Sequence, residues 1–182
     1  MPNNDRARSS IPPDNLQRKL SVTNADSPQA NHVSVVGDTY TVLITGGDTD
    51  GRYGLIDMLV PTGGGPPLHR HDFEEMFTVL EGEVEFTFRG EMVLAKSGTT
   101  LNIPANAPHR FKNVAAPPAR LLCVCSPAGQ EEFFLEIGKV VERRTSLAPH
   151  LSAEEQKSFI EKAKALAPKY RTELLVPAFK GQ

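Results

Sequence analysis

Three of the five histidines fall in one stretch with a carboxylate: His69, His71 and Glu75, then His109 further along, while His32 and His150 lie outside it. In an extended strand alternate side chains share a face, so His69 and His71 point the same way with Cα atoms roughly 6.5–7 Å apart. Two imidazoles at that separation can converge on one ion, and imidazoles with a carboxylate suit a divalent transition metal. Asp72 and Phe73 let the chain turn, after which Glu75 opens the next strand and, in a hairpin, faces back toward His71. A fourth ligand has to come from far along the chain. His109 meets that need, because Pro104-Ala105-Asn106-Ala107-Pro108 is a turn-forming run that delivers it to the start of another strand. A lone histidine in a strand is ordinarily a hydrogen-bonded core or surface residue; four donor side chains at these spacings point to metal binding.

The elements that must hold these residues are short. Runs rich in Val, Ile, Thr and Phe occupy residues 40–45, 54–60, 68–71, 75–80, 83–88, 91–95, 99–103, 109–114 and 120–126, with Gly- and Asp-containing turn clusters between them. That spacing predicts an all-β antiparallel sandwich or small barrel. Phe73, Phe77 and Val79 share parity with Glu75, and Phe111 with His109, so an apolar lining around the polar cluster is expected. Arg70 and Arg110 have the opposite parity and read as solvent or interface charges. Asp48 and Asp50 sit in a Gly-rich turn without the twelve-residue loop of a calcium site, and the triple glycine at 63–65 lacks the Lys of a phosphate cradle.

Residues 1–35 are Pro, Asn, Asp and Ser with scattered aliphatics and read as a flexible N-terminal arm. The barrel is assigned to 36–127 and a helical extension, packed on the barrel, to 128–182. In the extension, 130–137 reads as a short helix closed by Gly138. Residues 152–167 read as a longer one, opened by a Ser152/Glu155 capping box and stopped by Pro168. Phe159, Ile160, Ala163, Leu166 and Ala167 share one face of it, which must dock on apolar surface, either as simple packing or as a lid over the barrel mouth.

A net charge of −2 and a pI near 6.2 argue against nucleic-acid binding. No apolar run approaches the roughly 20 residues of a membrane helix, and the N-terminus lacks a secretory h-region, so a cytoplasmic protein without membrane contact is expected. Cys123 and Cys125 are too close to staple distant segments and read as small apolar residues of a strand.

The spacing Gly63-x5-His69-x-His71-x3-Glu75-x6-Gly82, with Gly98-x5-Pro104-x-Asn106-x2-His109-x3-Asn113, resembles the two cupin motifs, G(x)5HxH(x)3,4E(x)6G and G(x)5PxG(x)2H(x)3N. The one departure is Asn106 in place of Gly, and Asn is the next most tolerant residue of a positive φ. The resemblance implies a double-stranded β-helix, or jelly-roll barrel, holding one divalent ion (Fe, Mn, Ni, Cu or Zn) through His69, His71, Glu75 and His109. It also implies a homodimer. The C-terminal portion resembles, less specifically, the extensions of cupins grouped with quercetin dioxygenases.

Three imidazoles and a carboxylate leave open positions on such an ion. The expected function is a dioxygenase-type oxidoreductase acting on a small enol, diol or phenolic substrate, and the resemblance to cupin dioxygenases implies that Glu75 serves as both ligand and acceptor of the substrate's hydroxyl proton. Two alternatives share the site: a metal-dependent isomerase, epimerase or lyase, and a binding module without turnover.

Overall fold

The computed structural model describes residues 11–175. Its strands are β1 (Asn31–Val35), β2 (Asp38–Ile44), β3 (Gly54–Val60), β4 (His69–His71), β5 (Glu74–Glu81), β6 (Glu83–Phe88), β7 (Glu91–Lys96), β8 (Thr100–Ile103), β9 (His109–Lys112), β10 (Ala119–Ser126), β11 (Lys139–Val140) and β12 (Thr172–Leu174). They form two antiparallel sheets, ordered β11-β1-β2-β3-β10-β5-β8 and β12-β4-β9-β6-β7. From β3 to β10 the chain passes repeatedly from one sheet to the other: β4, β6, β7 and β9 lie in the second, β3, β5, β8 and β10 in the first. This winding is a double-stranded β-helix, as the strand spacing and motifs predict.

Period-two alternation is what fills the barrel. Along β5 the residues Glu75, Phe77 and Val79 are buried, and along β10 so are Leu121, Cys123 and Cys125. Phe77, Phe86 and Phe111 meet across the sheets with ring centroids 5.3–5.4 Å apart, a spacing at which tilted and edge-on aromatic pairs attract. Gly65 lets the loop before β4 lie against β9, since a Cβ there would stand 2.1 Å from the Phe111 carbonyl oxygen.

Helix α2 (Gln130–Ile137) ends at Gly138, and α3 (Ala153–Leu166) starts at a Ser152/Glu155 capping box, both as expected. Wholly buried Glu131 ties α2 to the barrel, its carboxylate accepting from the backbone N–H of Gly46 (2.7 Å) and of Gly129 (2.9 Å). Ala163 and Ala167 are buried, Phe159 and Leu166 are half-buried and Ile160 is exposed, so the apolar face of α3 is only partly covered.

Some elements differ from expectation. The turn at 46–51 contains a single helical turn, α1 (Gly46–Thr49), opened by a Thr45/Asp48 capping box that outweighs its two glycines locally. Residues 31–35, grouped with the flexible arm on composition, form β1 because Val33 and Val35 find the core that the polar run conceals. The remaining described arm residues contact α1 through Arg18 and Ser21, both bonded to Asp48. Residues 1–10 and 176–182, assigned above to the arm and the extension, lie outside the described residues. Among the described residues no helix is long and apolar enough to cross a membrane.

Candidate metal centre

Three strands deliver the four candidate ligands. His69 and His71 stand two apart on β4, Glu75 near the start of β5, and His109 at the start of β9, opposite His69 in the β4–β9 pairing. All four are buried, and one donor atom from each lies within 4.8 Å of every other. The closest approaches converge on one oxygen: His71 Nε2 and His109 Nε2 each stand 3.0 Å from Glu75 Oε2.

The other face of each imidazole is fixed. His69 Nδ1 bonds the Pro67 carbonyl (2.9 Å), His71 Nδ1 the Phe73 carbonyl (2.9 Å) and His109 Nδ1 the Ala107 carbonyl (2.8 Å). A carbonyl only accepts, so each Nδ1 carries the proton and each neutral ring presents a bare Nε2 inward. Three lone pairs and a carboxylate then face one another in a buried space. Acceptors facing acceptors are stable there only around a cation or shared protons. The 3.0 Å contacts also match the separation of two ligand atoms each roughly 2.1 Å from one ion at a right angle. These residues therefore fit a divalent transition ion.

In the metal-free protein protons take the cation's place. Burial pushes the Glu75 carboxyl up, but hydrogen bonds from His109 and His71 outweigh it and hold the group well below the usual carboxylate range. Burial lowers His109, and the bond to Glu75 reverses this to a net rise. His69 is depressed to about 4 by burial and by the His109 charge, so its lone pair stays available across the neutral range.

Asn106, the motif's departure, has φ +67° and donates its N–H to the His71 carbonyl at 2.6 Å, so the turn is kept and braces β4. Asn106→Ala should therefore lower stability by about 1 kcal/mol in denaturant titration, while Asn106→Gly should leave it nearly unchanged.

The site opens into a cavity of about 790 Å³. Its floor includes His69, Glu75, Phe77 and Phe111, and its far side is built by the extension through Phe133, Phe134, Ile137 and Phe159. Strand parity places Phe77 and Phe111 on the floor, whereas the far wall depends on where the helices dock and is not readable from spacing. Tyr40 also lines the cavity and donates its hydroxyl to buried Asp38 (3.1 Å), whose carboxyl burial raises to about 7. Arg70 and Arg110 point away, to Glu173 and Thr87.

Cys123 and Cys125 lie buried in β10, as expected, yet they also touch the site: Sγ of Cys123 is 3.3 Å and Sγ of Cys125 3.7 Å from Glu75 Oε1. Only the β5–β10 register, with Cys125 opposite Glu75, brings them there. Burial raises the Cys123 thiol well above its usual value; Cys125 sits at about 11, the bond from Cys123 lowering it but burial and the Glu75 charge prevailing.

Comparison with known proteins agrees with this architecture. Residues 56–125 match the family model described as "Cupin domain". The chain is 37% identical over 73 residues to the quercetin 2,3-dioxygenase of Bacillus subtilis, a match covering 40% of this chain and 22% of that protein. It is 35% identical over 94 residues to the polyketide synthase CurC of Streptomyces cyaneus, covering 50% of this chain and 60% of that one. The chain thus spans less than two thirds of the length of either curated relative. Among solved structures, an RmlC-like cupin from Shewanella frigidimarina superposes with a TM-score of 0.51 at 16% identity, covering 62% of this chain and 99% of that one. Its fold agrees, and the domain match lies over the strands that carry the two motifs: this chain contains a cupin domain.

Proposed function

We propose that this cupin holds one divalent transition ion through His69, His71, Glu75 and His109 and is a dioxygenase-type oxidoreductase for an enol, diol or phenolic substrate. The observation that carries the reading is the convergence of three carbonyl-anchored imidazoles and one carboxylate, two of which, His69 and Glu75, line an apolar cavity. The ion would bind the substrate's oxygen and make its electrons available to dioxygen. Phe77, Phe111 and Phe133 would hold the substrate's apolar body and exclude water. Glu75 would take the substrate's hydroxyl proton at Oε2 as that oxygen becomes an anion. A volume of about 790 Å³ suits a substrate of several rings better than the small molecule the motifs alone suggest. Similarity to a quercetin dioxygenase supports the oxidative chemistry.

The match to a polyketide synthase favours a second reading, in which the same ligands hold the ion against a carbonyl and no dioxygen is consumed. A flavonol, which combines several rings with an enol oxygen, separates the two. The iron- or manganese-loaded chain should consume one dioxygen per flavonol, with both oxygen atoms recovered in the product by isotope labelling. Equal turnover of flavonol without oxygen would support the second reading. A thermal shift on flavonol addition without any product would overturn both in favour of a binding module.

A further inference from the structure

We infer that Cys123 and Cys125 are positioning residues that hold the Glu75 carboxylate in its metal-facing orientation. The inference rests on Glu75 being a ligand. A carboxylate offers two lone-pair sites on each oxygen. Oε2 of Glu75 is occupied by the two histidines, at 3.0 Å each. Among the described residues the donors to Oε1 are the two thiols alone, Cys123 at 3.3 Å and Cys125 at 3.7 Å. The terminal torsion of a Glu side chain is broad, so covalent geometry does not fix the angle at which the carboxylate plane meets the histidines. The partners of Oε1 have to fix it.

Both thiols reach Oε1 because residues two apart on β10 share its inner face and Cys125 is registered opposite Glu75. Their sulfurs are 3.7 Å apart, so Cys125 can instead give its one S–H proton to Cys123 Sγ while Cys123 donates to Oε1. A thiol suits this position physically. It is a weak, uncharged donor that satisfies a buried oxygen while leaving the carboxylate's charge for the ion. A redox role fits less well, since neither sulfur has any exposure through which an oxidant could reach it.

Removing both thiols strands Oε1 in a dry interior, where an unsatisfied oxygen is costly and the carboxylate gains a reason to turn. Loss of partners that orient metal ligands typically costs about 10–100-fold in metal affinity. The test is manganese affinity, measured by chelator competition, for C123A/C125A, C123S/C125S and the better-packed C123V/C125A, with thermal melting of each to establish folding. The expected result is a loss of about 10–100-fold in both variants that lack donors, restored to within about threefold by the serine pair. Cys123→Ala alone should cost more than Cys125→Ala, because its sulfur is nearer. A second readout is independent of metal. These are the chain's only cysteines, so the infrared S–H stretching band belongs to them alone, and Glu75→Ala should shift it. Unchanged affinity in a folded C123V/C125A chain, or an S–H band indifferent to Glu75→Ala, would overturn the inference. Should Glu75→Gln itself leave manganese affinity intact, the ligand assignment fails instead, and this inference with it.

Discussion

Replacing His71 by alanine should lower divalent-ion affinity on the order of 100-fold or more, a larger effect than the 10–100-fold typical of residues that only orient ligands. The substitution deletes one of the two nitrogens that meet Glu75 Oε2 and leaves His109 as its sole partner there. It also orphans the Phe73 carbonyl that His71 Nδ1 engages and removes the ring stacked on Phe73 at a centroid distance of 3.9 Å. The metal-free variant should therefore be less stable as well, by about 1–3 kcal/mol. The two losses are separable by measuring bound metal on protein that melting shows to be folded. Undiminished metal content in the folded variant would refute the assignment of His71 as a ligand.

Lowering the pH should release the ion, with affinity falling about tenfold per pH unit for each proton displaced. His109 leads this release, because the metal-free protein raises its pKa and so favours its protonated form. His69, depressed to about 4, keeps its lone pair and does not contribute until far more acidic conditions. The same shifts set an opposite trend in the metal-free chain. A histidine whose folded pKa is raised adds stability that is full below its unfolded value of about 6.5 and lost as pH rises through the folded value. The His109 contribution to the metal-free chain should accordingly fade on going alkaline from about 6.5. Depressed His69 works the other way, costing stability as pH falls from about 6.5 toward about 4. The Glu75 contribution is present above its unfolded value and is lost only as pH falls through its depressed folded one. Thermal melts with and without manganese should therefore diverge as pH rises from 6 to 8, on the order of 1 kcal/mol per unit where one proton is displaced. Parallel melting curves, or chelator-resistant binding that is flat from neutral pH to about 5, would contradict histidine ligation.

What the sequence disclosed about this site follows from which distances it encodes. His69 and His71 share a face of β4 by strand periodicity alone, and the loop from Asp72 to Glu74 is short enough to return Glu75 beside them. His109 was legible because Pro104 and Pro108 bracket a turn that must end where β9 begins. Contacts that depend on register between strands distant in sequence left no such trace. The thiols of Cys123 and Cys125 meet Glu75 only because β10 pairs with β5 in one particular alignment, and their spacing alone is equally that of two buried fillers. The short strands β1, β11 and β12 are hidden for a related reason, since each is defined by the strand it joins rather than by its own composition. The cavity's outer wall is a third case: periodicity marked an apolar face on α3, but the space left between α3, α2 and the barrel is a property of docking.

That one ion sits among these four side chains can be seen by anomalous diffraction from manganese-loaded crystals. A single peak per chain is expected, bounded by Nε2 of His69, His71 and His109 and by Oε2 of Glu75, at roughly 2.0–2.3 Å from each. The peak should disappear in His71→Ala crystals. Manganese elsewhere with no density among these residues, or a peak that survives loss of His71, would contradict this placement.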